Sequence, residues 1–289
     1  MANLKEVRTR IASVSSTQQI TSAMKMVSAA KFRRAQNAIL GMRPYAKEFN
    51  AIVEGIDVAD GVQTPYHAER RVENVLLVVV ASNKGLCGAF NANVMKAASA
   101  RIEYYQQQNI AVKVLTMGKR ASESFAKRKD IFLRAYDDVL DAPSFDAVCE
   151  IAEQVMKSFC DKRFDRVEMI YNEFKNSLTQ IVATEQFLPV QVRQGDAAHG
   201  KSNDDFIYEP NKQTVLHHMI PLMLRSQFYR MVLDSLASEH GARMTAMQKA
   251  TDNATELLKD LKLTYNKARQ AAITNEIIEI VSGSEALKN

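Results

Sequence analysis

The residues best placed to bind a ligand are the glycines of residues 82–91, SNKGLCGAFN, which follow an apolar run and precede a predicted helix. A glycine-rich turn before a helix can hold phosphate, because backbone N–H groups there point toward the anion. Gly85 and Gly88 have a single spacing of three, so the GxGxxG pattern is incomplete, and no Walker sequence occurs in the chain. A Rossmann-type enzyme would need that complete phosphate pattern. The turn is therefore interpreted as one that closes a scaffold sheet.

Cysteine, histidine and carboxylate side chains form no recognisable catalytic or metal-binding set. The three cysteines include no CxxC pair. His217 and His218 are adjacent, so on a helix they point about 100° apart and cannot share one ion. Glu276 and Glu279 lie one helical turn apart, and a helix edge that faces solvent or a partner explains them without acid–base chemistry. The sequence predicts no catalytic residue, no metal, no cofactor and no direct small-molecule substrate.

The N-terminal segment is strongly basic, since residues 1–36 contain seven Lys or Arg residues and a single acid, Glu6. Such an arm favours an anionic partner, which could be nucleic acid, lipid head groups or an acidic protein surface. Charge alone does not choose among the three. Aromatic residues make up 7% of the chain, and none interleaves usefully with the basic residues. A coiled-coil nucleic-acid-binding protein, the alternative function, would need such stacking side chains.

Strand and helix patterns alternate between residues 72 and 193, which predicts a central Rossmann-like α/β domain. Residues 73–82, ENVLLVVVAS, form an apolar β-branched run typical of a strand buried on both faces. The order of the elements favours a mostly parallel sheet with one antiparallel edge. Further strands are predicted at 111–117, 131–135, 166–174 and 179–188, and helices at 91–107, 118–127 and 144–160. Residues 194–210 are predicted to form a surface loop and a foot.

An apolar heptad pattern follows Ser28, and it predicts an N-terminal coiled-coil helix over residues 1–60. Upstream, Ile20, Met24 and Val27 keep the same step in a phase shifted by one residue. Pro44 removes one backbone donor, so a kink is expected there without a break. The heptad positions are Phe32, Ala35, Ile39, Met42, Ala46, Phe49, Val53 and Ile56.

A second heptad pattern predicts a C-terminal coiled-coil helix over residues 211–287. Ile273, Ile277 and Ile280 continue it one residue out of phase. A long helix at each terminus, with a different unit between them, predicts an antiparallel coiled coil, and the small side chains of both patterns allow close approach. The heptad positions are Met247, Thr251, Ala254, Leu258, Leu261, Tyr265, Ala268 and Ala272.

Both termini then carry a family pattern. Residues 10–36, RIASVSSTQQITSAMKMVSAAKFRRAQ, resemble the opening helix of the gamma subunits of F-type ATP synthases of bacterial type. Residues 238–283 are similar to the closing helix of that family, and GLCGAFN at 85–91 resembles the turn of its central domain. The C-terminal signature matches except that Ser284 stands where the family usually has Ala.

This resemblance implies a non-catalytic rotor subunit of the central stalk, which couples proton flow through the membrane sector to ATP synthesis in the alpha/beta catalytic hexamer. The implied partners are the alpha and beta subunits, the epsilon subunit and the membrane c-ring, with no nucleic acid. The implied location is the cytoplasmic face of the bacterial inner membrane, as a peripheral membrane protein.

The resemblance also implies contact residues. Basic side chains of the first helix would meet an acidic loop of beta, and Met24 would pack near Arg269, Gln270 and Thr274, where stalk and ring couple. Tyr208 and Glu209 are expected to form the foot that contacts the c-ring and epsilon. The expected coupling contacts with the alpha/beta ring are Met24, Lys31, Arg33, Arg34, Arg269, Gln270 and Thr274.

Overall fold

A computed structural model describes residues 4–60, 64–176, 179–190, 209 and 211–286. The chain divides into two compact units. Residues 1–28 and 244–289 form the paired-helix unit, and residues 29–243 form the sheet unit. The domain boundaries expected at residues 60, 193 and 210 stay a prediction. The loop at 194–205 lies outside the described residues.

Five α-helices, five strands and two short 3-10 helices, Pro65–His67 and Asp138–Leu140, make up the regular structure of the described residues. The two terminal helices are long, and α1 and α5 continue without a break through Pro44 and Pro221 respectively. In chain order the elements are α1 (Leu4–Asp60), β1 (Asn74–Val80), α2 (Phe90–Gln107), β2 (Ala111–Met117), α3 (Lys119–Phe125), β3 (Phe132–Ala135), α4 (Phe145–Cys160), β4 (Arg166–Phe174), β5 (Gln180–Leu188) and α5 (Lys212–Ala286).

The five strands of the sheet unit form one sheet in the order β3-β2-β1-β4-β5. β1 pairs in parallel with β2 and β4, β2 pairs in parallel with β3, and β5 runs antiparallel to β4. The predicted α/β class and the single antiparallel edge are therefore confirmed. α4 begins just after Ser144, because the Ser144 Oγ accepts a hydrogen bond from the backbone N–H of Ala147 and caps the helix.

β1 lies in the middle of the sheet, and its apolar run is buried on both faces. Leu76, Val78 and Val80 join one core cluster, together with side chains of α4 and with residues of α1 and α5 that belong to the same unit. Val75 and Leu77 join a second cluster, which α2 and α3 cover from the other side. Two covered faces explain why this strand is continuously apolar, whereas a half-buried strand alternates.

The heptad positions of α1 in the sheet unit face that first core cluster. Ala35 and Ile39 are buried in it, and Phe32 and Met42 pack against it. This part of the predicted seam is confirmed. The heptad positions from Ala46 onward have side chains outside the described set.

Three polar contacts hold the paired-helix unit together in an antiparallel arrangement. The Gln18 Nε2 donates to Thr255 Oγ1 at 2.6 Å, and the Lys25 Nζ donates to Gln248 Oε1 at 2.6 Å. Between these contacts, Thr251 Oγ1 lies 2.9 Å from Thr21 Oγ1. The predicted antiparallel pair is confirmed within this unit.

The one-residue phase shift expected at Ile20, Met24 and Val27 of α1 is wrong. Ile20 and Val27 are 56% and 57% exposed, so they do not form the seam. The inward positions keep the downstream phase, but polar side chains fill them: Gln18, Thr21, Lys25 and Ser28 are half-buried or buried. The apolar periodicity does not reveal these positions, because here hydrogen bonds between the helices take the place of apolar contacts.

The seam of α5 follows the predicted heptad positions as far as Ala272. Met247, Ala254 and Leu258 are buried, and the next heptad positions up to Ala272 are half-buried, as the pattern predicts. The expected continuation through Ile273, Ile277 and Ile280 is wrong, because those side chains are exposed. Over the described residues, none of the helices is both long enough and apolar enough to cross a bilayer.

Gly118 has a backbone that other residues tolerate poorly, since its φ is +103° and a Cβ there would lie 2.1 Å from the Ala81 carbonyl oxygen. We expect Gly118→Ala to lower the free energy of unfolding by about 3 kcal/mol or more, because β1 and β2 must separate to admit the methyl group. Gly88→Ala is the matched control: its φ is +62°, with nothing within 4 Å of the added Cβ. It should cost ~1 kcal/mol. Urea unfolding of both variants measures the difference, and equal losses would contradict the steric argument.

The hydroxyl pair of Thr21 and Thr251 can be tested with a double-mutant cycle. Each single Thr→Val change removes the contact between the helices and should cost ~1 kcal/mol. The remaining hydroxyl keeps its bond to a carbonyl of its own helix, that of Gln18 for Thr21 or that of Met247 for Thr251. The double change removes both hydroxyls, so its cost should be smaller than the sum by about 0.5–1 kcal/mol. Amide hydrogen exchange in residues 14–28 reports the local opening free energy. Strict additivity would show that the two side chains do not interact.

Candidate functional site

The turn after β1 satisfies its own polar groups. The Ser82 hydroxyl donates to the Lys84 carbonyl at 2.6 Å, and the Ser82 backbone N–H donates to Asn91 Oδ1. The Asn91 amide donates to Cys87 Sγ at 3.2 Å, and the Cys87 side chain is buried. These bonds fold residues 82–91 onto the N-terminus of α2. The arrangement supports the interpretation of this turn as a scaffold element.

Arg243 on α5 ties this turn to the last helix. Its Nη2 donates to the Lys84 carbonyl at 2.9 Å, and its Nη1 donates to Glu239 Oε1 at 2.6 Å. Both members of this ion pair are about 9% exposed. A buried, charge-assisted hydrogen bond of this kind fixes geometry strongly. This pair was not predicted from the sequence, although a carboxylate four residues before an arginine on one helix is a usable signal.

Burial and neighbouring charges shift the protonation of this cluster. Burial raises the pKa of Glu239, against the opposing effect of Arg243 and Lys31. Burial, Arg243 and Lys31 lower the pKa of His240 to about 4. His240 Nδ1 lies 4.0 Å from Glu239 Oε1, but the low pKa leaves the imidazole neutral at pH 7, so this contact is not an ion pair. The other charged group acting on Glu239 is Asp141.

The predicted basic contacts lie on the surface of α1 in the sheet unit. Lys31, Arg33 and Arg34 are all exposed. None of the three forms an ion pair with another described residue. Lys31 also contributes positive potential at the buried Glu239 and His240. The three cations are therefore accessible to an acidic partner.

The predicted coupling residues of α5 are exposed in the paired-helix unit. Arg269, Gln270 and Thr274 all face solvent, and the Thr274 hydroxyl donates to the backbone carbonyl of Gln270 at 2.9 Å. Their exposure leaves the Arg269 guanidinium and the Gln270 amide open to an incoming surface.

Met24 does not pack near these residues, so that expectation is wrong. Lys25 bonds to Gln248, which places Met24 level with that turn of α5. Arg269 lies about twenty residues farther along α5, or ~30 Å at 1.5 Å per residue. Continued at the same register, Arg269 is level with the beginning of α1 near Leu4. The pairing register, which the sequence did not reveal, separates the two predicted contact regions.

The foot falls largely outside the described residues. Tyr208 is among the residues that are not described, and Glu209 is exposed. Among the described residues, no group of three His, Cys, Asp or Glu side chains could hold a metal ion.

The end of α5 presents a band of exposed aliphatic side chains, three of which, Ile273, Ile277 and Ile280, were predicted to belong to the seam. The out-of-phase step of the isoleucines was the available signal for this surface. The band, called here the distal apolar face, consists of Ile273, Ile277, Ile278, Ile280 and Val281.

The depressed pKa of His240 predicts a pH-dependent stability. In the unfolded chain His240 titrates near its ordinary pKa of 6.5, whereas in the folded chain it titrates at about 4. Below pH 6.5 the unfolded state therefore binds an extra proton, and stability falls as the pH drops toward 4. Between pH 7.5 and 4.5 the residue should account for a loss of about 2–3 kcal/mol.

Urea unfolding of the wild type and of His240→Gln at both pH values isolates this contribution. The raised pKa of Glu239 acts in the opposite direction, but it is present in both proteins and its causes do not include His240. Wild type should lose more stability than the variant on acidification. Parallel losses would show that His240 is not held neutral by burial.

Comparisons with known proteins agree along the full chain. A family model described as ATP synthase matches residues 3–287. The ATP synthase gamma chain of Cytophaga hutchinsonii is 52% identical, and the one of Flavobacterium psychrophilum is 51% identical; both alignments cover 100% of this chain and of the relative.

Solved structures share the fold at lower identity. A chain in the OSCP/F1/c-ring structure of the Euglena gracilis mitochondrial ATP synthase has a TM-score of 0.70 at 23% identity, covering 98% of this chain and 94% of that one. A chain of the Tetrahymena thermophila mitochondrial ATP synthase, from a structure of its central stalk and c-ring, has a TM-score of 0.62 at 24% identity. That match covers 80% of this chain and 99% of the other. The chain belongs to the ATP synthase gamma-chain family.

Proposed function

We propose that this chain is the rotor subunit in the central stalk of an F-type ATP synthase, and that it couples proton flow in the membrane sector to ATP synthesis in the alpha/beta hexamer. The observation that carries the proposal is the 52% identity to a gamma chain over the whole length of both proteins. The subunit is not itself catalytic. Its work is to change the conformation of catalytic neighbours.

A rotor acts through differential contacts, because a neighbour that is bound equally well in every state is not driven from one state to another. Two kinds of exposed surface suit this role. Lys31, Arg33 and Arg34 supply positive charge for an acidic loop of beta. Arg269 and Gln270 supply hydrogen-bond donors that can form and break contacts as the stalk turns.

The register of the paired-helix unit separates its contacts into two regions. Met24 and the Arg269–Thr274 group lie ~30 Å apart along the helices. They therefore cannot act as one cluster, and each meets the ring at its own height. A variant in one region is expected to leave the other region intact.

The partners in this proposal are the alpha and beta subunits, the epsilon subunit and the membrane c-ring. Tyr208 and Glu209 are proposed as the foot, and Glu209 is exposed. As a subunit of a membrane-associated complex, the chain is proposed to lie at the cytoplasmic face of the bacterial inner membrane. Affinity purification of the tagged chain from membranes should recover alpha and beta subunits. Recovery of nucleic acid in their place would overturn the proposal.

Arg269→Ala tests the contact region formed by Arg269, Gln270 and Thr274. We expect folding to be intact, since the side chain is exposed, and coupled ATP synthesis in membrane vesicles to fall at least about threefold, which corresponds to ~0.7 kcal/mol. Lys259→Ala is the matched control, because Lys259 is an exposed cation on the same helix. Thermal unfolding of both variants checks the fold. Synthesis that is unchanged in Arg269→Ala would remove this residue from the coupling contacts.

A further inference from the structure

A groove in the sheet unit lies between β3, the second half of α4 and the loop that leads to β4. Its cavity has a volume of about 360 Å³. Pockets that bind small molecules start at roughly 300 Å³, so the size suits a small ligand. The groove is distinct from the glycine turn, since none of the described residues that line it belongs to residues 82–91.

The base of the groove is apolar and firmly packed. Leu76 on β1, Leu115 on β2 and Val155 on α4 line it, and all three are at least 95% buried. Leu133 on β3 forms a wall, and it is 47% exposed. An apolar ligand body would take this exposed leucine out of water, which is favourable at about 25 cal/mol per Å² of apolar surface.

The rim of the groove is positively charged. Arg134, Lys157 and Arg163 line it, and Asp161 is the one acid among the described lining residues. None of the three cations forms an ion pair with a described residue. The uncompensated positive charge favours an anionic ligand.

Arg134 contacts two neighbouring side chains beside the groove. Its guanidinium lies 5.0 Å from the centre of the Tyr136 ring, and its Nη1 lies 3.5 Å from Gln154 Oε1. The Tyr136 hydroxyl donates to the same Gln154 oxygen. Most of the guanidinium N–H donors remain open, and their fork suits the two oxygens of a phosphate or carboxylate.

We propose that this groove binds a small organic anion, with a phosphate or carboxylate group at Arg134 and Arg163 and a flat apolar body over Leu76 and Leu115. An acidic segment of a partner protein would also match the charge. The cavity volume and the buried apolar base formed by Leu76 and Leu115 favour the small ligand, because an extended acidic segment needs only the charged rim. The inference is independent of the proposed rotor function.

Phenyl phosphate is a suitable probe, because it carries one anionic group and one flat apolar body. Titration of the isotope-labelled full chain, followed by amide NMR shifts at residues 133, 158 and 163, should give a saturable curve. Arg134→Gln and Arg163→Gln should each weaken binding about tenfold. Arg71→Gln, at a side chain that is 91% exposed, is the matched control and should leave the affinity unchanged.

Inorganic phosphate and phenol separate the two halves of the site, and both should bind at least about tenfold more weakly than phenyl phosphate. Equal affinity for inorganic phosphate would overturn the role of the apolar base. If phenyl phosphate caused no saturable shift up to about 10 mM, its dissociation constant would be too weak for a binding site, and the proposal would be overturned. So would variants that bind the probe normally but no longer co-purify with other subunits, since the groove would then be a protein interface.

Discussion

The register between the first and last helices is the constraint on which the placement of the contact residues depends. An apolar seam tolerates slippage, because one aliphatic side chain packs in place of another one heptad away. A polar pair in a seam does not, since a slip leaves its hydrogen-bonding groups unpaired. Gln18 with Thr255 and Lys25 with Gln248 therefore define which turn of α1 faces which turn of α5. That choice places Met24 and Arg269 at different heights along the paired helices.

A second polar contact, the Glu239–Arg243 ion pair, lies within the sheet unit. A buried ion pair is weak evidence for added stability, because removing two charges from water costs about as much as their attraction returns. Its effect here is positional. Arg243 also donates to the Lys84 carbonyl, so it joins α5 to the turn that ends β1. Because burial and Arg243 keep His240 neutral, no further positive charge develops beside this arginine at pH 7.

The sequence predicted the central domain well, because its elements carry strong local signals. The run at β1 is apolar on both faces, and a strand covered on both faces needs such a run. Ser144 marks the beginning of α4 through a cap that involves its own side chain. The seam of α1 was predicted correctly where apolar side chains form it, at Ala35 and Ile39. It was predicted wrongly around Thr21, because a periodicity search cannot tell a polar residue that pairs across a seam from one that faces water.

The site was less predictable than the fold for a related reason. Exposure of Arg269 and of the basic residues of α1 follows from their chemistry, so a surface role could be expected. The pairing of Arg243 with a turn about 160 residues earlier in the chain is a tertiary contact, and no local pattern specifies it. The register likewise depends on pairs between the two ends of the chain. The local sequence around a residue such as Gln18 or Gln248 does not indicate that it pairs with the other helix.

The polar seam and the distal apolar face are two aspects of one arrangement. Side chains that usually hold a coiled coil together are on the outside here: Ile20 and Val27 on α1, and Ile277 and Ile280 on α5. The helix pair leaves this apolar surface in water, and a partner that covers it stabilises the pair further by mass action. The paired helices are therefore best ordered when a surrounding surface encloses them. A surface that encloses a rotor must contact these apolar side chains and still allow the rotor to turn. Aliphatic contacts meet this condition, because they have no preferred direction.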